Sequence, residues 1–387
     1  MKNFQGVDYL ACEELLSESG IQVRDNIRKW VDEKFMPVVA RHYQAGSFPR
    51  DLISELGALG VLGCNLKGYG CAALSHLEYG LIMQELERGD SGLRSFASVQ
   101  TSLCMFPIHE FGTEEQKNYF LPKMATGEII GCFGLSEPDF GSDPSGMLTT
   151  AVLKGDQYVL NGTKRWITNG SISQVAIVWA KLNNEIQGFL VPTNSAGLLV
   201  RDIPGKLSLR CSVTSEIIMD DCRIPATSLL QKARGLKAAL QCLSAARFGI
   251  VWGALGAAMA CYEEALSYSK DRIIFGEPLA QKQLVQDKLV KMITEISKAQ
   301  LLALRLAQLK DSGKIRPHQI SMGKMNNVGM ALEVARMARD ILGANGVSDE
   351  YQSMRHMCNL ESVNTYEGTF DIHKLIIGEK ITGLSAF

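Results

Sequence analysis

Apolar residues recur at helical spacing through roughly the first 125 residues of the chain. The spacing is clearest over residues 15–35 and 77–86, and it predicts amphipathic helices. Thr113 and Gln116 have the spacing of a capping box, in which the two side chains bond each other's backbone amides, so we predict a helix that begins there. Strand signals are almost absent from this part of the chain.

The pattern changes to strand signals between about residues 130 and 230. The segment TTAVLKGDQYVLNGTKRWITN predicts two strands joined by a turn at Gly155 and Asp156. Further β-branched and aromatic stretches follow at 175–179, 188–191 and 216–219. We therefore predict a β domain in the middle of the chain.

Helical spacing returns from about residue 231 and persists to the C-terminus. One long helix is predicted to carry the apolar positions of 285–302 on a single face, and a second to cover 318–342 and end at Gly343. Long helices joined by short loops favour an antiparallel bundle. The apolar run 248–261 is shorter than the roughly 20 residues that span a bilayer, so we predict a buried core helix and no membrane association.

These changes of period divide the chain into three predicted domains. They are an N-terminal α-helical domain at 1–127, a middle β domain at 128–232 and a C-terminal α-helical bundle at 233–387. The predicted fold class is mixed and mainly α. Because no repeat and no low-complexity linker separates the domains, we expect them to pack as one unit.

The overall charge is close to zero, with 40 Lys and Arg residues against 41 Asp and Glu residues. This balance provides no basic surplus to neutralise a nucleic acid or an anionic membrane, so we expect neither as a partner. The ten cysteines are scattered singly, and the acidic N-terminal segment fits neither a secretory signal nor a mitochondrial presequence. We expect a bacterial cytoplasmic protein, or a mitochondrial matrix protein whose presequence has been removed.

Two segments of the middle region have residues suited to a flat polar ligand. In the loop GLSEPDFGSDPSGM, Ser136, Gly141 and Ser142 would bring amides and hydroxyls close to such a ligand, although surface loops share this composition. Trp166 and Thr168 stand two residues apart, so on a strand they share a face. A core tryptophan beside a surface threonine is the alternative interpretation.

Two further segments place charged residues where they suggest chemistry. Glu367 stands beside Gly368 in an apolar neighbourhood, where desolvation would raise the pKa of a carboxyl that acts as a general base. A solvated glutamate before a turn is the alternative. Arg94 follows a glycine-containing break after Glu87, which suggests an anion site at a helix N-terminus or, more simply, a charged helix end.

The common signatures of other enzyme classes are absent from the sequence. No G-x-G-x-x-G follows a predicted strand, and neither a G-x-x-x-x-G-K-[ST] phosphate loop nor a G-x-S-x-G nucleophile elbow occurs. The six histidines form no H-x-x-x-H pair, so we predict no metal site.

Three segments together resemble the acyl-CoA dehydrogenase family over essentially the whole chain: GCFGLSEPDFGSDPSG, KRWITNG, and ILGANGVSDEY followed by NTYEGTFDIH. Within the family, ELERGDSGLRS at 85–95 and GKLSLR at 205–210 are most similar to the glutaryl-CoA dehydrogenase subfamily. The resemblance implies an N-terminal α-helical domain, a middle β-sandwich or β-barrel domain and a C-terminal four-helix bundle. It also implies FAD between the last two domains, a homotetramer, and electron-transfer flavoprotein as the electron acceptor.

The resemblance gives Glu367 the role of catalytic base. It would take the α-proton of an acyl-CoA thioester while the β-hydrogen leaves as hydride to flavin N5, with the thioester carbonyl held by a flavin ribityl hydroxyl and the Glu367 backbone N–H. Contacts to FAD are expected from Leu135, Ser136, Gly141, Ser142, Trp166, Ile167, Thr168, Arg272, Phe275, Gln283, Asp340, Gly343, Thr369 and Asp371. In the family, the contacts of Arg272, Phe275 and Gln283 with FAD are often made across a subunit boundary. Contacts to the substrate are expected from Glu87, Arg94, Ser95, Ser98, Ser142, Leu243, Arg247, Tyr366 and Gly368.

The resemblance also assigns to Arg94 the neutralisation of the terminal carboxylate of glutaryl-CoA. Glutaryl-CoA is therefore the expected substrate, with oxidative decarboxylation to crotonyl-CoA and CO2. A non-decarboxylating relative, a short-chain acyl-CoA dehydrogenase and a catalytically silent binding module are the alternatives. Three departures from the subfamily pattern, at Phe370, Ala344 and Asp139-Phe140, leave the expected base and the arginine in place.

Overall fold

The N-terminal part of the chain contains helices and no strand before Gly131 in the computed structural model, which describes residues 6–386. The apolar spacing predicted this. The helices are α1 (Glu18–Trp30), α2 (Met36–Ala45), α3 (Ile53–Ala58), α4 (His76–Gly89), α5 (Ser91–Ser98), α6 (Phe106–Phe111) and α7 (Glu114–Ala125). A π-helical stretch, Val99–Met105, joins α5 to α6 without a break.

Reciprocal capping boxes fix where two of these helices begin. The Thr113 hydroxyl accepts from the Gln116 N–H at 3.2 Å, and the Gln116 side chain accepts from the Thr113 N–H at 2.9 Å, which confirms the predicted capping box at α7. Ser75 and Glu78 form the same reciprocal pair at the start of α4. From this start α4 runs into the interior, and Glu87 lies in its buried C-terminal half.

The middle part of the chain forms one eight-stranded sheet. Its strands are β1 (Gly131–Gly134), β2 (Thr150–Lys154), β3 (Gln157–Thr168), β4 (Val175–Leu182), β5 (Glu185–Pro192), β6 (Leu198–Asp202), β7 (Thr214–Pro225) and β8 (Leu229–Arg234). Their order is β6-β7-β3-β2-β4-β5-β8, with β1 added in parallel to β4. The predicted hairpin is present, because β2 and β3 pair antiparallel and Gly155 takes a φ of +66° in the turn between them.

A bulge near the end of β3 reorients Trp166. The pairing of β3 with β7 shifts register between Lys164 and Ile167, and Trp166 has a φ of +65°, in the left-handed region. As a result the indole is 58% exposed and lines a cavity instead of joining the core. The alternative of a core tryptophan is therefore wrong.

The C-terminal part is built from long helices, as its apolar spacing predicted. They are α8 (Gly235–Asp271), α9 (Gln283–Asp311), α10 (Pro317–Ile341), α11 (Ser353–Thr365) and α12 (Phe370–Thr382), with a short hairpin of β9 (Ile273–Ile274) and β10 (Glu277–Pro278) between α8 and α9. α8 contains the predicted core segment. It is long and apolar enough to cross a membrane, yet 83% of its apolar window is buried against the rest of the protein.

Two glycines let α8 cross α4 at close range. A Cβ on Gly256 would collide with the Gln84 carbonyl oxygen, and a Cβ on Gly253 would collide with the Glu87 carboxylate. Because Gly253 and Gly256 have no side chain, there is room for the Glu87 carboxylate between two helices that otherwise pack through apolar residues.

The three parts of the chain share a hydrophobic core. One buried cluster contains Leu103 from the N-terminal part, Trp179 from β4 and Cys242 from α8, so the sheet packs against helices from both ends of the chain. The change from strand to helix falls between Arg234 and Gly235, slightly beyond the predicted boundary at 232. The fold is mixed and mainly α, as predicted.

Candidate active site

A cavity of about 2020 Å³ lies where the three parts of the chain meet. Its walls include the loop after β1, the end of β3, the first turns of α8 and the segment between α11 and α12. The predicted site residues that line it are Ser95, Leu135, Ser136, Gly141, Ser142, Trp166, Ile167, Thr168, Leu243, Arg247, Tyr366, Glu367, Gly368 and Thr369.

Glu367 lies on the cavity wall between α11 and α12. Its φ of +53° is in the left-handed region, and Gly368 follows with a φ of +96°. The Oε2 atom of Glu367 has no hydrogen-bond partner among residues 6–386. Burial raises the pKa of this carboxyl, against the opposing charges of Arg94, Lys324 and Arg247. An unpartnered carboxylate oxygen beside a cavity is suited to accept a proton.

Two buried cations hold the backbone around Glu367. The Lys324 ammonium group donates to the carbonyl oxygens of Tyr366 and Gly368, the latter at 2.6 Å. Arg247 Nε donates to the Glu367 carbonyl oxygen at 2.6 Å. Three consecutive carbonyls are thereby occupied, whereas the Glu367 N–H has no acceptor in the described part of the chain. This N–H is the group that the resemblance places at the thioester carbonyl.

Lys324 is a site residue that was not predicted from the sequence. Its side chain is 1% exposed, and burial lowers its pKa to about 7. The sequence pattern that could have indicated Lys324 is its position four residues from both Ile320 and Val328, on the apolar face of α10. A lysine on such a face is costly to bury, so it points to a specific role.

Arg94 and Glu87 form a buried ion pair behind the cavity wall. Arg94 Nε lies 2.6 Å from Glu87 Oε2, and the two side chains are 1% and 0% exposed. Arg94 Nη2 donates to the Tyr366 hydroxyl, which also lies 3.2 Å from Ser95 Oγ. Tyr366 and Ser95 line the cavity, whereas Arg94, Glu87 and Ser98 do not. A carboxylate ligand would meet the two hydroxyls first, with the guanidinium directly behind.

A second buried ion pair anchors the glycine-rich loop after β1. Lys164 Nζ lies 2.8 Å from Glu137 Oε1 and also donates to the Leu135 carbonyl oxygen at 3.1 Å. Glu137 accepts in addition from the Thr149 N–H at 3.0 Å. Burial lowers the pKa of Lys164 to about 8. This pair was not predicted, because two charges 27 residues apart give no local signal.

The sheet side of the cavity fits a flat aromatic ligand with polar edges. The exposed Trp166 indole offers a stacking face. Ser136, Ser142 and Thr168 bring hydroxyl groups to the same cavity. Apart from Gly141 and its two chain neighbours, no heavy atom of the described chain lies within 4 Å of where a Cβ on Gly141 would be, so a ligand can approach the backbone closely there. These features suit the isoalloxazine ring system of a flavin.

Besides Lys206 of the GKLSLR segment, three further cations that were not predicted line the cavity: Lys237, Lys310 and Arg316. Lys310 is half-buried, and burial lowers its pKa. They stand on separate elements, so no local motif marks them. The cavity wall has acidic residues as well, so these cations offer individual donors for phosphate groups and no overall positive charge.

Several residues expected to bind the cofactor lie outside this cavity. They are Arg272, Phe275, Gln283, Asp340, Gly343 and Asp371. Phe275, between β9 and β10, is 92% exposed, and the carboxylates of Asp340 and Asp371 pair with Lys288 and Lys374. A single copy of the chain does not bring these residues to the cavity, so their contacts to FAD stay predictions.

Comparison with known proteins identifies the family. The acyl-CoA dehydrogenase N-terminal, middle and C-terminal domains match residues 17–128, 132–222 and 233–382. The chain belongs to the acyl-CoA dehydrogenase family, which confirms the resemblance, and it is an oxidoreductase. Because the cavity fits a flavin and a related enzyme has been solved with FADH2, FAD is the cofactor, as predicted.

That related enzyme is a glutaryl-CoA dehydrogenase from Mycobacterium smegmatis, which is 49% identical with a TM-score of 0.97 and covers 98% of this chain and 99% of its own. The mitochondrial short-chain specific acyl-CoA dehydrogenase of Homo sapiens is 36% identical over 369 residues, 94% of this chain and 90% of the relative. A chain from a structure of the electron transferring flavoprotein of Acidaminococcus fermentans is 34% identical, with a TM-score of 0.91, and covers 95% of this chain and 98% of its own.

Proposed function

We propose that the protein is a glutaryl-CoA dehydrogenase that oxidises and decarboxylates glutaryl-CoA to crotonyl-CoA and CO2. The observation that carries this proposal is the buried pair of Arg94 and Glu87, with the hydroxyls of Tyr366 and Ser95 in front of it. Because Tyr366 directly precedes Glu367, this polar group lies beside the proposed base. The 49% identity to the Mycobacterium smegmatis glutaryl-CoA dehydrogenase supports the proposal.

The charges around Glu367 favour a substrate with a second negative charge. When Lys324 is protonated, the three cations Arg94, Arg247 and Lys324 face the two carboxylates of Glu87 and Glu367. Nη1 of Arg94 has no acceptor within residues 6–386. The terminal carboxylate of a glutaryl group would balance the excess positive charge and could accept from the hydroxyls that line the cavity.

Glu367 is the proposed base of the first step. Its Oε2 takes the proton from the carbon next to the thioester carbonyl, and its backbone N–H stabilises the negative charge that develops on the carbonyl oxygen. When bound, FAD accepts the hydride that leaves the β-carbon. Arg247 and Lys324 keep the Glu367 segment in place while the proton moves.

The terminal carboxylate accounts for the second step. After oxidation this carboxylate is vinylogous to the thioester, so loss of CO2 leaves an electron pair that is delocalised onto the thioester oxygen. The proton carried by Glu367 is then added to the γ-carbon. Crotonyl-CoA results, and Glu367 returns to its ionised form.

We also propose how the rest of the substrate and the partners are bound. Lys237, Lys310 and Arg316 suit the phosphates of CoA, since they line the same cavity. The likeness to a chain from an electron transferring flavoprotein structure supports electron-transfer flavoprotein as the electron acceptor. The assembly is a homotetramer, as the resemblance implies, in which the exposed Arg272 and Phe275 contact FAD of another copy.

Anaerobic titration with glutaryl-CoA tests this function. We expect the flavin absorbance to bleach and an equivalent of labelled CO2 to be released from glutaryl-CoA labelled at its terminal carboxyl. Unlabelled butyryl-CoA provides the control for oxidation without a carboxylate. Bleaching by butyryl-CoA and none by glutaryl-CoA would exclude the proposal.

A short-chain acyl-CoA dehydrogenase is the second candidate function. The 36% identity to the human short-chain enzyme favours it, as does the fact that Glu87 already neutralises Arg94. The two functions differ in their preferred substrate and in the release of CO2. A higher kcat/KM for butyryl-CoA than for glutaryl-CoA would select this second candidate.

A further inference from the structure

The backbone conformation at the proposed base needs a restraint from elsewhere in the fold. Glu367 and Gly368 have successive positive φ angles, and the first is rare for a residue with a side chain. This angle decides where the Glu367 carboxylate points. Whatever holds the segment therefore determines the direction of the base.

Lys324 holds the segment from α10. Its ammonium group donates to the carbonyl before Glu367 and to the carbonyl after it. α10 is itself fixed in the bundle, where its residues Ala331, Val334 and Ala338 are fully buried. Within residues 6–386 Lys324 makes no ion pair with a carboxylate, so its hydrogen bonds go to the peptide groups at the base.

A purely structural role would not require an ammonium group at this place. Burying a charge without an ion pair is unfavourable, and an apolar side chain of similar length would fill the same space. We propose that Lys324 is a positioning residue for Glu367, which holds the two flanking peptide groups and thereby directs the carboxylate towards the α-proton of the substrate. The inference rests on the proposed role of Glu367 as the base.

The charge of Lys324 also acts on the protonation of Glu367. The charged and titratable groups that face this segment are Glu87 from α4, Arg94 from α5, Arg247 from α8, Lys324 from α10, His373 from α12, and Tyr366 beside it. Burial lowers the pKa of His373 to about 3, so its ring is neutral during catalysis. Removing Lys324 takes away one of three cations that oppose the effect of burial, so the pKa of Glu367 should rise.

Lys324→Met tests the proposal, because it removes the donors and the charge and keeps the length of the side chain. Asn327→Leu is the matched control, since it removes buried hydrogen bonds from the same helix without contacting the Glu367 segment. Both holoenzymes are assayed with whichever of glutaryl-CoA and butyryl-CoA is oxidised. For Lys324→Met we expect kcat to fall about 100-fold with little change in KM. The acidic limb of its pH profile should move up by about one pH unit.

An infrared measurement gives a second result that does not depend on turnover. The carboxyl C=O band that disappears in Glu367→Gln is titrated in the substrate-free holoenzyme. In Lys324→Met this band should titrate about one pH unit higher than in the wild type. Asn327→Leu should lower the unfolding temperature and leave the band and the pH profile unchanged.

The outcomes separate the two proposals. A Lys324→Met enzyme with wild-type kcat, pH profile and infrared titration would overturn the positioning role. Flavin reduction at the wild-type rate in Glu367→Gln would instead overturn the role of Glu367 as base. If Lys324→Met does not fold, Lys324→Gln, which keeps an amide donor and lacks the charge, replaces it. An unchanged infrared titration in that variant would contradict the proposal equally.

Discussion

Replacing Arg94 by Met and Glu87 by Gln in one variant separates substrate preference from folding stability. The Arg94→Met change alone would leave the Glu87 carboxylate buried at 0% exposure without its 2.6 Å partner, and its Oε1 atom already has no hydrogen-bond partner within residues 6–386. Breaking such a pair from one side costs about 3–5 kcal/mol of folding stability. The double change removes both charges, and it should recover most of that loss.

The double variant should lose activity selectively. If Arg94 and the hydroxyls in front of it bind the terminal carboxylate, the lost charge-assisted interaction is worth about 1.5–3 kcal/mol. Converted to rates, kcat/KM for glutaryl-CoA should fall about 10- to 150-fold. Butyryl-CoA has no carboxylate at that end, so its kcat/KM should change less than about threefold, a shift of well under 1 kcal/mol.

Steady-state kinetics with both substrates, together with thermal unfolding of the single and double variants, measure these effects. The single Arg94→Met variant serves as the control for stability, and it should unfold at a lower temperature than the double variant. Equal losses of kcat/KM for glutaryl-CoA and butyryl-CoA in the double variant would show that the carboxylate is bound elsewhere. In that case the reasoning from the buried pair is refuted.

Three further predictions concern the base and the loop after β1. Glu367→Gln should retain the yellow flavin and reduce it about 10²–10⁴-fold more slowly in stopped-flow measurements, and wild-type reduction would remove it from the base role. Lys164→Met leaves the Glu137 carboxylate without its cation beside the loop after β1, so this variant should lose FAD on gel filtration. Lys154→Met, at an exposed position, is the control and should retain FAD. Equal retention of FAD by the two variants would contradict the anchoring role. Lys164 has a folded pKa of about 8 against an ordinary value of 10.5, so the unfolded chain binds more protons at this position between those pH values. The stability of the wild type relative to Lys164→Met should therefore rise with pH across that window, by up to about 3 kcal/mol. Denaturant unfolding at pH 7 and pH 10.5 measures this difference in stability. A difference that stays constant between the two pH values would refute the prediction.

Elements with a local periodic signal could be predicted from the sequence. The helices at both ends, the hairpin at Gly155 and the capping box at Thr113 each depend on residues a few positions apart, and all are present. The cavity also gathers most of the segments in which site residues were expected. The domain of each segment could be predicted because the hydrophobic period changes twice along the chain, from helical to strand spacing and back.

Features that depend on distant contacts could not be predicted in this way. The bulge that turns Trp166 into the cavity arises from the register between β3 and β7, not from the alternation within β3. Lys324 meets Tyr366 42 residues later in the chain, and Arg94 meets the same tyrosine across 272 residues. Such contacts exist only once the bundle has formed, so neither residue type nor spacing indicates that Tyr366 stands between Arg94 and the cavity.

Gly253 links the choice of substrate to the packing of two helices. A methyl group at this position would take the place of the Glu87 carboxylate, so the charged pair in its present geometry requires glycine at 253. A descendant enzyme that exchanged Glu87 and Arg94 for apolar residues would leave a void that alanine at 253 fills, with a gain in helix propensity. We therefore expect positions 87, 94 and 253 to change together during evolution, which makes a glycine within a helix a marker of substrate preference.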